Sequence, residues 1–129
     1  PAQADRMDAR PKDQIDVPCL PLSDVIGEHA NGRRIELLSI DCEGLDYAAL
    51  TSIDLNATRP RVIVIEDFDQ FMGNNQGGDS AMRSHLMEHD YVVVAQGIFS
   101  FVYVDAHCMH HVDEVGFRFD RSQIRGLGR

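Results

Sequence analysis

The chain has 129 residues and a formal net charge of −9. Its length is that of one domain, and a hydrophobic content of 43% argues against disorder. The negative charge disfavours nucleic acid and anionic membranes as partners, because both carry charge of the same sign. No apolar run approaches the ~20 residues of a membrane span. The amino terminus lacks a signal-peptide core, and the three cysteines form no CxxC pair, so we expect a cytoplasmic protein.

The first third of the chain predicts a loose lead-in followed by a helix and a strand. Residues 1–14 are polar and show no apolar period, so we expect no regular structure there. Two prolines favour an extended conformation for residues 15–22, and Ser23 is a candidate N-cap for a helix over residues 24–30. The nearly continuous apolar run of residues 35–40 indicates a strand that is buried on both faces.

The middle of the chain alternates helices with a strand. Apolar residues follow a helical spacing over 45–53. The β-branched run of residues 61–66 is typical of a central parallel strand. A loop rich in Gly, Asn and Gln is expected over residues 67–79. A helix over residues 80–89 then leads into the last two strands.

The last two predicted strands, residues 91–96 and 99–104, are so close in sequence that we expect an antiparallel hairpin. Residues 106–129 are expected to form a polar tail on the surface. The predicted order β–α–β–α–β–β defines an α/β layered architecture, with parallel strands first and a hairpin last. Four strands are fewer than the six or more of a doubly wound sheet, so the sheet is small for its class.

Five acidic residues stand at the ends of the two predicted parallel strands. Asp41, Glu43 and Asp46 follow the first strand, and Glu66 and Asp67 end the second. Ligands of open α/β sheets sit outside the carboxyl ends of the strands, and there the side chains of Asp41, Glu43, Glu66 and Asp67 would converge. An oxygen-rich pocket suits Mg²⁺, and a carboxylate whose pKa is raised by its neighbours suits a general base. Alternatively, the acids are solvated loop residues, and Asp46 only favours the positive end of a helix.

Four stretches, in this order and spacing, resemble one known family: VPCLPLSDVI, IELLSIDCEGLDYAAL, RPRVIVIED and HLMEHDYVVV. They are similar to the carboxyl-terminal part of the FkbM-type S-adenosylmethionine-dependent methyltransferases, and the similarity covers about residues 15–105. The resemblance implies a partial Rossmann-like methyltransferase sheet and methyl transfer to a hydroxyl of a sugar, lipid or natural product. It also implies S-adenosylmethionine as cofactor and a small-molecule or glycan acceptor as partner.

The resemblance also bears on the residues of the site. The family's glycine-rich cofactor loop is expected upstream of the matching segment, so the cofactor-binding residues are not assigned. A cofactor site shared across a homo-oligomer would be one way to complete it. Asp41 would lie near the transferred methyl group and the substrate hydroxyl, with Glu43, Asp46 and Glu66 as the other candidate catalytic residues. By analogy with other Rossmann-like O-methyltransferases, Asp41, Glu66 and Asp67 form a candidate Mg²⁺ set.

Two other functions compete with this interpretation. The spacing of His85, Glu88 and His89 matches H-x-x-E-H, with both imidazoles on one helical face, which is typical of a zinc peptidase. The same helix is also explained by an apolar stripe of Met82 and Leu86 with histidines on its flanks. The second alternative is a non-catalytic α/β module that lacks the cofactor half and acts through protein contacts.

Overall fold

One mixed sheet of four strands organises the described part of the chain, residues 15–73 and 79–111 of a computed structural model. The strands are β1 (Leu37–Ile40), β2 (Val62–Glu66), β3 (Tyr91–Gln96) and β4 (Ser100–Asp105). Their spatial order is β1-β2-β4-β3. The β1–β2 pair is parallel, whereas β2–β4 and β3–β4 are antiparallel. The predicted α/β class, with a parallel pair first and a hairpin last, is confirmed.

Short helices connect or flank the strands. They are α1 (Leu22–His29), α2 (Asp46–Thr51), α3 (Phe68–Met72) and α4 (Ala81–Glu88), and a 3₁₀ helix over Ala106–His111 follows β4. In the described ranges no helix exceeds eight residues, and none is long and apolar enough to cross a membrane.

The core is built around β2, as its β-branched sequence predicts. Ile63 and Ile65 are fully buried, and β2 lies between β1 and β4. Helix α4 contributes its predicted apolar stripe, because both Met82 and Leu86 are buried. The other large buried side chains come from α2, the loop after it, β3 and β4: Leu50, Leu55, Tyr91, Phe101 and Tyr103. The central position predicted for β2 is therefore correct, although only one of its two neighbours is parallel.

Two predictions for the first third of the chain are wrong. Strand β1 begins at Leu37, whose side chain is 61% exposed, so the strand is not buried on both faces. In the described residues β1 pairs only with β2, which leaves it at the edge of the sheet. Helix α1 begins at Leu22 with Pro21 as its N-cap residue, and Ser23 lies inside it. Proline is tolerated at a helix start because the first amides need no intrahelical acceptor.

Residues 67–73 are not the loop that their composition predicts. Asp67 accepts a hydrogen bond from the backbone N–H of Gln70 (3.0 Å) and so caps α3. Gly73 ends the helix at φ +65°, a left-handed conformation that glycine adopts without steric cost. The rest of the predicted loop, residues 74–78, lies outside the described residues, as do the predicted lead-in and the tail from residue 112 onward.

A polar cluster joins β4 to the loop before β2. It lies at the end of the sheet where β2 begins, opposite the carboxyl ends of β1 and β2. The carboxylate of Asp105 accepts hydrogen bonds from the Arg59 guanidinium (3.0 Å) and from the His107 backbone N–H (3.1 Å). The Tyr91 hydroxyl donates to the Pro60 carbonyl (2.7 Å). Cys108, which falls within the predicted surface tail, is buried. The first residues of the predicted tail are therefore part of the fold.

Candidate active site

The parallel pair brings acids from two loops to one end of the sheet. Ile40 of β1 pairs with Ile65 of β2, so Asp41 and Glu66 are the next residues on neighbouring strands. Burial raises the pKa of Glu66, and the charges of Asp41, Asp46 and Glu43 raise it further. We call Asp41, Glu43 and Glu66 the acidic rim. Asp41 and Glu43 are exposed and Glu66 is partly exposed, so ligands can reach all three.

Asp46 lies beneath this rim and is only 6% exposed. Its carboxylate accepts hydrogen bonds from the backbone N–H groups of Cys42 (3.0 Å) and Gly44 (3.1 Å). These bonds hold a tight turn in which Glu43 and Gly44 have φ values of +50° and +98°. A non-glycine residue at positive φ needs such support, because its Cβ is crowded there. The geometry thus makes Asp46 a positioning residue for Asp41 and Glu43.

Asp67 does not point to the rim with Glu66. It is 3% exposed, and its two carboxylate oxygens accept from the Gln70 N–H and the Ser80 hydroxyl. Ser80 in turn accepts from the Arg83 N–H (3.0 Å) and caps α4. Asp67 therefore joins α3 to α4, and its oxygens are already used within the fold.

The candidate Mg²⁺ set is not assembled. Across residues 15–73 and 79–111, no three His, Cys, Asp or Glu side chains are grouped so that they could hold a metal ion. Asp41 and Glu66 are brought to the same rim, but Asp67 is turned into the protein. The structure therefore gives no support to a magnesium site at these residues.

The two histidines of α4 are close, as predicted from their spacing. The ring centroids of His85 and His89 are 4.6 Å apart, and His89 Nδ1 lies 2.8 Å from the His85 carbonyl oxygen. Burial lowers the pKa of His85, and the positive charge of His89 lowers it further. No third ligand joins the pair in the described residues.

We therefore expect no stoichiometric zinc at His85 and His89. Two imidazoles without a third protein ligand hold zinc too weakly for a structural or catalytic site. Equilibrium dialysis against zinc, followed by elemental analysis, checks this expectation. An equimolar zinc content in the wild-type chain that is lost in His85→Ala, but kept in the exposed control His29→Ala, would restore the zinc-peptidase alternative.

Glu66 supplies a pH-dependent prediction. Because its pKa is raised above the ordinary 4.5, the charged form is disfavoured in the folded state. The destabilisation is present above the folded pKa and is lost as the pH falls to the ordinary value. We expect Glu66→Gln to unfold at a higher temperature than the wild type at neutral pH, and the gain to vanish near about pH 4. Thermal unfolding followed by circular dichroism measures both. The exposed control Glu28→Gln should show no such gain, and an equal gain in the two variants would contradict the prediction.

A groove of about 610 Å³ opens beside Asp41. Its walls are mainly apolar and come from the start of α1 and the segment before it, from β1, and from α2 and its N-cap residue: Leu20, Leu22, Ile40, Leu45 and Ala48 are among them. Ser39, Ser52 and the Asp41 carboxylate add polar groups. The volume and the mixed lining are those of a small-molecule site. Sequence reasoning missed this groove, although the run Cys19-Leu-Pro-Leu22 carries the apolar side chains that form one wall.

Three phenylalanines form an exposed cluster beyond the end of β2. Phe68 stacks on Phe99 with ring centroids 4.8 Å apart, and Phe71 meets Phe99 edge to face at the same distance. A strand over residues 99–104, as predicted, would place Phe99, Phe101 and Tyr103 on one face. The latter two are buried in β4, but Phe99 precedes the strand and lies in this cluster instead. We call Phe68, Phe71 and Phe99 the aromatic patch.

The fold and the rim together define a class of protein. It is a mixed α/β protein whose accessible carboxylates stand at the carboxyl ends of a parallel strand pair, where α/β enzymes bind their ligands. A family model described as "Methyltransferase FkbM domain" matches residues 2–93. The chain therefore belongs to the FkbM methyltransferase domain family, and membership indicates a methyltransferase. No curated protein and no solved structure matches the chain.

Proposed function

We propose that this chain takes part in S-adenosylmethionine-dependent methyl transfer to a hydroxyl oxygen, and that its sheet is part of a Rossmann-like methyltransferase fold. Family membership supports the reaction class. The observation that carries the proposal is the position of Asp41, which lies at the acidic rim and also lines the groove. One acidic residue therefore borders both a cavity of ligand size and a cluster of like charges.

The residues around the groove fit a cationic, nucleoside-sized cofactor. The apolar walls of the groove suit a flat aromatic base. The carboxylates of the acidic rim, Asp41, Glu43 and Glu66, attract a positive charge, and Asp41 also lines the groove. S-adenosylmethionine supplies an activated methyl group on a sulfonium centre. In our proposal Asp41 and the apolar side chains of Leu20, Leu45 and Ala48 would hold it.

The carboxylates would act on the acceptor hydroxyl. Asp41 accepts a hydrogen bond from the hydroxyl, orients its oxygen and takes up its proton as the oxygen becomes an ether. Glu66, whose pKa is raised by burial and by the neighbouring acids, is the second proton acceptor within the rim. Asp46 holds the turn that presents Asp41 and Glu43.

Calorimetry of S-adenosylhomocysteine binding tests the cofactor half of this proposal. The exposed α2 residue Ala48 lines the groove, so we expect Ala48→Trp to fill it and weaken binding at least about tenfold. Thr51→Trp places the same indole on the same helix outside the groove, and it should bind like the wild type. Equal affinities of the two variants would remove the groove from the proposal. Absence of binding to the wild-type chain and to the full gene product would overturn the cofactor assignment.

A further inference from the structure

The aromatic patch is an exposed apolar surface that no step above uses. Phe68, Phe71 and Phe99 expose 49%, 42% and 37% of their surfaces although they contact one another. Met72 and Ile98, the chain neighbours of Phe71 and Phe99, are also exposed. Single exposed apolar residues are ordinary, but three exposed rings joined by direct contacts mark a binding surface.

This patch adjoins the acidic rim. Phe68 lies two residues beyond Glu66, at the start of α3. The backbone N–H of Asp67 donates to the Phe99 carbonyl (3.0 Å), and Glu66 pairs with Ser100 across the sheet. The turn that carries Phe99 is therefore hydrogen-bonded to the end of β2. Glu66 and Phe68 therefore come from one backbone segment, and Phe99 comes from the segment that is hydrogen-bonded to it.

We propose that the aromatic patch binds the apolar body of the methyl acceptor, and that the acceptor is an uncharged alcohol. The inference rests on the proposed function, since it assigns the substrate of the same rim. With the body on the patch, the hydroxyl group reaches Glu66 and Asp41. The apolar surface provides affinity, and the carboxylates select the end of the molecule that carries the O–H.

Charge excludes one large group of acceptors. The rim carries three carboxylates, and the chain as a whole has a net charge of −9. Phosphorylated, sulfated or nucleotide-linked compounds would bring further negative charge to this place, and like charges repel.

The loss of hydrogen bonds to water excludes a second group of acceptors. A phenylalanine ring offers no hydrogen-bonding side-chain group, so a ligand that is polar on every side would lose hydrogen bonds to water without replacing them. Simple polyols therefore fit the patch poorly. Charge and hydration together leave uncharged molecules with one apolar face and a hydroxyl at its edge.

The test uses two probes of the same shape and different charge. Amide shifts of the ¹⁵N-labelled chain are followed during titration with trans-4-tert-butylcyclohexanol and with the corresponding cyclohexane carboxylate. We expect the alcohol to shift amides of α3, of the turn before β4 and of Glu66, and the carboxylate to bind at least about tenfold more weakly. Methyl β-D-glucoside, an uncharged polyol, should bind no better than the carboxylate.

Matched variants assign the effect to the patch. Phe71→Ser should weaken binding of the alcohol at least about tenfold. Leu37→Ser removes an exposed apolar side chain at the opposite end of the sheet and should leave binding unchanged. Glu66→Gln should strengthen binding of the carboxylate probe, because it removes one repelling charge. Thermal unfolding of each variant shows that it is folded.

The outcomes separate this inference from the proposed function. Equal binding of alcohol and carboxylate, preference for the glucoside, or shifts that avoid the patch would overturn the acceptor assignment, whatever the calorimetry shows. No binding of the alcohol, with unfolding at a lower temperature in Phe71→Ser but not in Leu37→Ser, would show that the patch is covered by protein and would overturn it too. Alcohol binding without S-adenosylhomocysteine binding would support the patch and count against the methyl-transfer proposal.

Discussion

Asp41→Asn is expected to lower the rate of methyl transfer in the full gene product at least about 100-fold. Asn keeps the shape of the side chain and can still orient a hydroxyl, but it cannot take up the proton that the hydroxyl loses. Because Asp41 is exposed, its replacement should change the free energy of unfolding by no more than about 0.5 kcal/mol. Transfer is measured by mass increase of the acceptor, and unfolding by urea titration.

Two further variants are compared with Asp41→Asn. Glu28→Gln removes one negative charge from an exposed site on α1 and should keep full activity. Asp46→Asn should lose activity together with stability, because it weakens the hydrogen bonds that hold the turn. An Asp41→Asn enzyme that retains more than half of the wild-type rate would show that Asp41 is not the proton acceptor.

Asp105→Asn is expected to destabilise the fold by about 3 kcal/mol at neutral pH, because it removes one partner from a buried charge pair. Asp105 is 2% exposed and accepts from Arg59 and His107. Burial alone would raise the pKa of Asp105, but the hydrogen bonds from Arg59 and from His107 lower it to about 2. For a domain of this size the change lowers the unfolding temperature by roughly 10 °C.

The sign of the pH dependence follows from the lowered pKa. The carboxylate stabilises the folded state above the ordinary pKa of 3.8, and this contribution is lost as the pH falls through 3.8 toward about 2. The difference between wild type and Asp105→Asn should therefore be constant near neutral pH and should shrink in acid. Thermal unfolding across this pH range measures it, and a difference that grows in acid would contradict the prediction.

A second ion pair and a double-mutant cycle provide the controls for the Asp105 prediction. Glu36→Gln breaks the Arg61–Glu36 pair, which has the same 3.0 Å distance but is largely exposed. Its loss should cost at most about 1 kcal/mol, because water already screens the charges. Arg59→Gln alone and together with Asp105→Asn completes a double-mutant cycle. Additive effects in that cycle would show that the pair itself contributes nothing.

Local signals in the sequence predict most of the elements. The β-branched run before Glu66 predicts β2 at the centre of the sheet, and Ser80 predicts the start of α4, whose N-cap it is. Helix α3 was missed because Gly, Asn and Gln dominate the composition of the whole stretch. Its start signal was present, since Asp67 is a good N-cap residue. The composition of the stretch predicted a loop, whereas the capping residue Asp67 indicated a helix start, and the structure contains the helix.

The site was harder to predict than the fold. The sequence places acids at the correct strand ends, but it does not show which way a carboxylate turns. Asp46 and Asp67 both lie next to helix starts, where unpaired backbone N–H groups compete with solvent for a carboxylate. Asp67 is bound by such a group, the Gln70 N–H of α3, and Asp46 by two N–H groups of the turn before α2, whereas Asp41 and Glu66 remain at the rim. The groove and the aromatic patch join segments far apart in sequence, so no local pattern reveals them.

The position of β4 has a consequence for the order in which the sheet can be made. Although β4 is the last strand in the described residues, it lies between β2 and β3. Strand β2 therefore cannot gain its second neighbour during synthesis until Asp105 has left the ribosome. Before that point the apolar side chains of β2 have only the β1 side of the sheet complete. Roughly forty residues are synthesised between the end of β2 and the end of β4. Throughout that interval the backbone edge of β2 that pairs with β4 has no partner strand.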